Sequence, residues 1–254
     1  MTRGFPFLDL VWTLVLRELR GRYRRSTLGF VWTMLQPLLT MAVLSVVFSS
    51  VFRFEIDRFP VYALTGILFW NFISQTIVQS MNSLRNNVHL IGHMPVPLAV
   101  FPVAATIAGV INLLLAIVPL LGLVMLLGYS VGPALLIVPL PILVAAVFAL
   151  GVGLFLAPLA AFFTDVGEMV GVMLTLLMYL TPIFYPIAIV PERYRWFVEA
   201  NPVRHLLEVF REPIYSGSLA SLHSTVLALS LSGVALVGGY AVFRRSEGRV
   251  RYFL

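Results

Sequence analysis

The sequence contains no cysteine and no lysine; all 17 of its basic residues are arginine. Without cysteine there is no disulfide framework, no thiolate metal site and no cysteine nucleophile. Without lysine there is no phosphate-binding loop of the G-x-x-x-x-G-K-[ST] type and no Schiff-base amine. A process driven by ATP would therefore take its nucleotide from another chain. Charge of either sign is scarce: 11% of the 254 residues are charged and 60% are hydrophobic. Mean hydropathy is +0.97, whereas a soluble domain carries about 25% charged residues. One soluble core cannot hide that much apolar surface, so the chain reads as an all-α polytopic membrane protein. Soluble enzymes and nucleic-acid-binding modules are excluded despite the net charge of +6.

A bilayer crossing needs about 20 apolar residues. Runs of that kind lie at 28–52, 60–82, 97–127, 133–163, 169–187 and 221–243, which predicts six transmembrane helices. Pro97 to Thr164 holds no Asp, Glu, Lys, Arg or His and is too long for one span; the turn-forming stretch Gly128–Pro133 divides it. The fourth span contains Pro139, Pro141 and Pro158 and is expected to be kinked or broken. With the N-terminus inside, Arg3, Arg17, Arg20, Arg22, Arg24, Arg25, Arg85, Arg244, Arg245, Arg249 and Arg251 are cytoplasmic. Acidic residues balance the arginines on the outer side, so the inner side carries the whole net charge of +6. Excess inner arginine satisfies the positive-inside rule and puts both termini in the cytoplasm.

The N-terminus is not a cleaved signal: Asp9 interrupts its apolar run and Arg17 to Arg25 follow. Leu8, Val11, Trp12, Val15 and Leu19 share one helical face, which predicts an amphipathic helix on the inner leaflet. Segment 188–220 is a second amphipathic stretch. Asn201-Pro202 supplies N-cap and first-turn residues for a helix with Val203, Leu206, Leu207, Phe210 and Ile214 on one side. Between two spans, it is expected to cap the outer end or dip back as a re-entrant pair.

None of the six runs contains Asp, Glu, Lys or Arg, and only His223 lies near an end. Ion-coupled transport needs an ionisable group inside the membrane, and intramembrane hydrolysis needs a nucleophile with its base or paired carboxylates. Both are disfavoured, so energy must arrive from outside the membrane. The second run does carry polar residues: Asn71, Gln75, Gln79 and Asn82 follow 4, 4 and 3 spacing on one face. Two readings stay open, helix–helix hydrogen bonding and a polar path for hydroxyl-rich cargo.

Aromatics cluster toward the outer ends: Phe48, Phe52, Phe54, Phe59, Tyr62, Phe69, Trp70, Tyr179, Phe184, Tyr185, Tyr194, Trp196 and Phe197. They suit either an interfacial belt or a ring of faces for sugar stacking, with Phe52, Phe69, Trp70, Tyr179, Phe184, Tyr185 and Trp196 as candidate path residues. Arg22, Arg24 and Arg25 are either positive-inside anchors or a clasp for a phosphate at the inner leaflet. His89 and His93 have i, i+4 spacing but lack a third ligand, so no metal site is assigned. Asp165 and Glu168 are expected to cap the helix that follows them.

The run Arg17-Glu18-Leu19-Arg20-Gly21-Arg22-Tyr23-Arg24-Arg25-Ser26-Thr27-Leu28-Gly29, followed by Leu35-Gln36-Pro37-Leu38, resembles the opening of type-2 ABC exporter permeases for polysaccharides. Asn82-Ser83-Leu84, Tyr179-Leu180-Thr181-Pro182-Ile183-Phe184-Tyr185-Pro186 and Asn201-Pro202 extend the likeness over nearly the whole chain in the same order. Thr164 and His93-Met94-Pro95 depart from it, where the family often has basic residues. The resemblance implies one transmembrane domain over 1–254: an interfacial helix and basic run to 26, five spans to 187, an outer cap over 188–220, a last span over 221–243 and a cytoplasmic tail. It also implies a homodimer in a 2:2 complex with a separate nucleotide-binding subunit that holds ATP and Mg, no cofactor on this chain, and a location in the bacterial inner membrane. Its cargo would be a lipid-linked polysaccharide such as O-antigen, capsular polymer or teichoic acid. Arg85, Asn86, Asn87, His89 and His93 would then lie in the segment that couples to the ATPase. A small-molecule, drug or lipid exporter of the same superfamily, a membrane-embedded enzyme acting on lipid-linked sugar, and a scaffold or channel subunit remain alternatives.

Overall fold

A computed structural model describes residues 7–23, 31–47, 58–93, 96–128 and 132–253, and every regular element among them is helical. In chain order the α-helices are α1 (Phe7–Tyr23), α2 (Val31–Val47), α3 (Phe59–Asn82), α4 (Val88–His93), α5 (Val100–Leu126), α6 (Pro139–Phe162), α7 (Val166–Leu180), α8 (Glu192–Glu199), α9 (Pro202–Tyr215) and α10 (Leu222–Phe253). Four stretches among the described residues are long and apolar enough to cross a membrane: Phe59–Asn82, Val100–Leu126, Pro133–Phe162 and Leu222–Phe253. The described part of the first predicted span is α2, and the fifth is the shorter α7. At a rise of about 1.5 Å per residue, α7 falls short of the roughly 30 Å hydrocarbon core.

Helix α3 is the hub and packs against α2, α5, α6, α7 and α9. Its buried residues run around most of its circumference, from Val61 to Met81. Small residues set its closest approaches. A Cβ on Gly109 of α5 would overlap Thr76, and one on Gly153 of α6 would overlap Ser80. Helices α6 and α10 meet more closely still: a Cβ on Gly239 would strike the backbone of Gly151, and one on Gly151 that of Ala235 and Leu236. Backbone contact through small residues spaced four apart is how helices associate where the solvent is as apolar as the side chains.

Two apolar clusters hold the two ends. One gathers the start of α3, the end of α5, the start of α6 and the buried face of α9. The other gathers Val11, Leu14 and Val15 of α1 with Leu84, Ile91, Leu98, Phe101, Ala161, Phe243 and Val250. Helix α1 and the end of α10 thus share one end of the bundle, and α9 closes the other.

Several expectations shift in detail. Of the apolar stripe of α1, Val11 and Val15 are buried with Leu14 against Leu84, Ile91 and Leu98, while Leu8 and Trp12 are exposed, where a helix lying on a leaflet would meet lipid. Pro139 and Pro141 fall in the first turn of α6, behind a 3-10 turn (Pro133–Ile137), and only Pro158 lies inside the helix. The fourth run is thus interrupted before α6 rather than within it. Asp165 occupies the N-cap of α7 without a side-chain capping bond; Thr164 donates to its carboxylate instead. The expected tail over 244–254 continues α10 to Phe253, supported by an Arg244–Glu247 ion pair at 3.0 Å, buried Val250 and an Arg251 bond to the Val96 carbonyl. The turn between α5 and α6 needs a left-handed residue, and Gly128 supplies it at φ 73°.

Gly239→Ala should lower the thermal unfolding temperature of the purified protein, at a cost of about 1–3 kcal/mol. Gly238→Ala, whose Cβ meets nothing within 4 Å, should be neutral or stabilising by about 0.5–1 kcal/mol.

Candidate functional site

Asn71, Gln75 and Gln79 come together as their spacing predicts. They line one wall of a cleft of about 280 Å³, faced by Trp32, Gln36 and Pro37 of α2 and by Gly109, Asn112 and Leu113 of α5. Asn82, the fourth member of the stripe, lies below the cleft and donates back to the Val78 carbonyl at 3.0 Å. Two cavities continue the cleft. Toward α1, a small one of about 20 Å³ shares Gln79 and adds Arg17, Glu18, Ser83, Asn86 and Asn87. Toward α9, one of about 200 Å³ shares Gln36, Pro37 and Asn71 and adds Thr40, Ile67, Trp70, Ile183 and Phe184. The polar side of α3 therefore faces three separate cavities that share lining residues and succeed one another from the α1 end toward the α9 end, together a polar track.

Hydrogen bonding along this track is incomplete. Elsewhere on α3 the buried hydroxyls bond back to the helix or across to α5, as Thr65 does to the Val61 carbonyl and Ser80 with Thr106. Thr76 Oγ1 and Gln79 Oε1 are sealed from solvent with no partner. Gln36 and Gln75 stand exposed at the mouth of the cleft. Neither Gln36 nor Asn112 was singled out as a path residue from sequence, although each is an isolated amide within a long uncharged run.

The aromatic candidates divide. Trp70 and Phe184 line the cavity at the α9 end. Phe69, one residue from Trp70, is 1% exposed and packs on Phe210 with ring centroids 5.1 Å apart. Tyr179 is exposed at the end of α7, and its carbonyl accepts from the Tyr185 hydroxyl at 3.0 Å. Trp196 is exposed on α8 and stacks on Phe197 at 3.6 Å. Phe52, Arg24 and Arg25 lie outside the described residues, as does the side chain of Arg22.

A clasp unforeseen from sequence closes the α9 end. Arg211 sits 5% exposed on the apolar face of α9 and donates from Nη1 to the Pro182 carbonyl at 2.8 Å and from Nη2 to that of Ile183 at 3.0 Å. Its guanidinium lies 3.8 Å from the centre of the Tyr62 ring. The Tyr62 hydroxyl is shared between the carbonyls of Tyr185 at 2.9 Å and Pro182 at 3.2 Å. Gly66 leaves the room, since a Cβ there would overlap Arg211. Burial pulls the Arg211 pKa below its ordinary value, with Tyr62, Glu212 and Tyr215 opposing; a guanidinium starts so far above neutrality that it stays charged. Beside it, Asn201 accepts from the Val203 amide as N-cap and donates to Thr181 Oγ1 at 2.8 Å. Segment 181–186, where α7 stops, is thereby fastened to α9 and α3 together. The available signal was a lone arginine in the Leu207, Phe210, Ile214 stripe.

At the α1 end, Arg17 donates to the side chain of Asn87, which in turn donates to the Ser83 carbonyl at 2.7 Å. Asn87 is buried, whereas Arg85, Asn86, His89 and His93 are exposed; the His93 ring donates to the His89 carbonyl at 2.7 Å. Four of the five candidate coupling residues thus form an outward surface, and the fifth ties that surface to α1.

With this geometry in place, comparison with known proteins is informative. The model of the family described as ABC-2 type transporter matches residues 9–215. The chain is 27% identical to the O-antigen export system permease protein RfbA of Klebsiella pneumoniae, over 97% of this chain and 95% of that protein. It is 28% identical to the RfbA of Myxococcus xanthus over 96% and 95%. It is also 25% identical to the polysialic acid transport protein KpsM of Escherichia coli over 92% of each.

Arg211→Lys keeps the charge but cannot span both carbonyls, and should cost about 1.5–3 kcal/mol of stability. Tyr62→Phe should cost about 1 kcal/mol. Thermal unfolding of the purified variants checks the order.

Proposed function

The chain belongs to the ABC-2 type transporter family, and from that premise we propose that it is the permease subunit of an ATP-driven exporter. Its cargo is a lipid-linked polysaccharide, O-antigen or capsular polymer or similar, moved from the cytoplasm across the inner membrane. Two relatives are named as O-antigen export permeases and a third as a polysialic acid transport protein, each matched along nearly its full length. The observation that carries the reading on the chain itself is the polar track along α3. Gln36 and Gln75 are exposed on an otherwise apolar bundle, and an amide facing hydrocarbon costs several kcal/mol. That face therefore lies against water, cargo or a second protein chain, not lipid.

In this reading two copies of the chain assemble with two ATPase subunits. The α1 end is cytoplasmic, in keeping with the arginine excess, and α2, α3, α5, α6, α7 and α10 make six crossings with both termini inside. Helix α7 turns Val170, Leu174, Leu177 and Met178 toward the bundle and leaves Met169, Val172, Met173 and Leu176 exposed. That second stripe, with the exposed face of α2, suits contact with the other copy, so that the two clefts face each other across the dimer axis.

The steps follow from the parts. Arg22, Arg24 and Arg25 meet the phosphates of the lipid anchor at the inner leaflet, where guanidinium groups bind phosphate in bidentate fashion. Arg85, Asn86, His89 and His93 present the surface on which the ATPase acts. The Arg17–Asn87 bond and the packing of Leu84 and Ile91 on α1 make the coupling segment and α1 move as one unit. Closure of the ATPases separates α2 and α7 across the dimer, and the polymer advances past Gln79, Gln75 and Asn71 to Trp70 and Phe184.

Replacing Arg22, Arg24 and Arg25 together by Gln should abolish export while the 2:2 complex still assembles, checked by surface polymer in cells and by subunit counting. Undiminished export would remove the anchor-binding role. Arg17→Ala should weaken stimulation of the ATPase by lipid-linked glycan severalfold without changing its basal rate; equal stimulation would remove the coupling role of that bond.

A further inference from the structure

A groove of about 410 Å³ lies between the end of α7 and α8, lined by Leu180, Tyr185, Ile189, Tyr194, Phe197 and Val198 among others. Val198 is buried, whereas Ile189, Tyr194 and Phe197 are exposed. None of its lining residues belongs to the cleft or to the two cavities that continue it. Phe184 and Tyr185 part company here: the first lines the track and the second lines the groove.

Helix α8 sorts its charges around this groove. Tyr194, Phe197 and Val198 are three and four residues apart and share the groove face. Arg193 and Arg195 adjoin Tyr194 in sequence, each about 100° away around the helix. Glu192, Trp196 and Glu199 repeat at similar spacing on the opposite face. The Arg193 guanidinium stands 4.4 Å from the centre of the Tyr194 ring, so positive charge lies at the rim of the groove. Neither arginine joins an ion pair among the described residues, and Arg195 Nε is buried without a hydrogen-bond partner.

An exposed apolar groove at the end of a membrane bundle is covered at lower cost by lipid chains than by water. Arginine stems lie along apolar surface while their heads seek an anion, and a guanidinium pairs with phosphate in bidentate fashion. A phosphate that carries apolar chains satisfies both parts of the site. A zwitterionic head would also bring an ammonium group against the arginines, with both carboxylates turned away. A glycan anchor moving along the track would not meet the groove, since no lining residue is common to both.

We propose that this groove holds an anionic phospholipid of the surrounding leaflet, its chain against Tyr185, Tyr194 and Phe197 and its phosphate on Arg193 and Arg195. The assignment needs a membrane around the bundle and no particular cargo.

The test uses the full-length protein in phosphatidylcholine nanodiscs that contain equal minor shares of phosphatidylglycerol and a polyprenyl phosphate. A photoreactive side chain replaces Ile189 in the groove, or Val234 on α10 as the control, and captured lipid is identified by mass spectrometry. Phosphatidylglycerol should be captured at Ile189 about tenfold above its share, as two arginines near a phosphate supply, and at Val234 in proportion to it. Arg193→Gln with Arg195→Gln should bring capture at Ile189 down to the bulk share. Arg193→Lys with Arg195→Lys, which keep the charge, should retain most of the enrichment. Capture in proportion to the share at Ile189, capture of a second copy of the chain, or preference for the polyprenyl phosphate each overturns the assignment. Equal loss in the Gln and Lys pairs overturns it as well.

Discussion

An amide side chain in the middle of a bilayer must meet protein or water, and the arrangement of this bundle follows from that constraint. Helix α3 carries three such amides on one side and packs with its remaining surface against α5, α6 and α9. Those contacts are close because Thr76 and Ser80 meet glycines on the facing helices. The polar side cannot be turned inward without pushing these contacts apart. It is left to a cleft that α2 only half covers, with Gln36 and Gln75 standing at its mouth. A lone copy in lipid would be poorly solvated there, and a second copy with a hydrated path between them removes the difficulty.

Each end of the track is fixed by a cation bonded to main chain or amide rather than to a carboxylate. At the α9 end, Arg211 gathers the carbonyls freed where α7 stops at Thr181-Pro182 and ties them to α9 and Tyr62. At the α1 end, Arg17 joins α1 to the segment between α3 and α4 through Asn87. Neither side chain has an acidic partner close enough to neutralise it among the described ion pairs. The first makes segment 181–186 and α9 one body, so the wall formed by Ile183 and Phe184 moves with the cap. The second, with the packing of Leu84 and Ile91, ties the exposed Arg85–His93 surface to α1.

Much of this was legible in the sequence. Helix periodicity placed Asn71, Gln75 and Gln79 on one face, Asn201-Pro202 opened α9, and Val203, Leu206, Leu207, Phe210 and Ile214 are all buried as their spacing requires. What was not legible depends on neighbours distant in the chain. Phe69 and Trp70 are equivalent as composition, and only the position of Phe210 decides that the first is core while the second faces the track. The protein-facing side of α1 is set by Leu84, Ile91 and Leu98, so its stripe alone does not say that Val11, Leu14 and Val15 are buried while Leu8 and Trp12 stay exposed. Arg211 looked like an ordinary outer charge because the carbonyls it binds come from a helix end some thirty residues earlier, with backbone freed only by the Thr181-Pro182 stop. The amides Gln36 and Asn112 gain a role only once α2 and α5 are seen on either side of α3.

The most direct test is a photoreactive side chain at Gln75 in the complex stalled by an ATPase-inactive partner with a lipid-linked glycan loaded. The same probe at Val234, exposed on α10, serves as the lipid-facing control. A path between two copies requires that the Gln75 probe capture glycan or the opposing copy, and that the Val234 probe capture lipid. Lipid capture at both positions would contradict it, and would return the α3 stripe to helix packing alone.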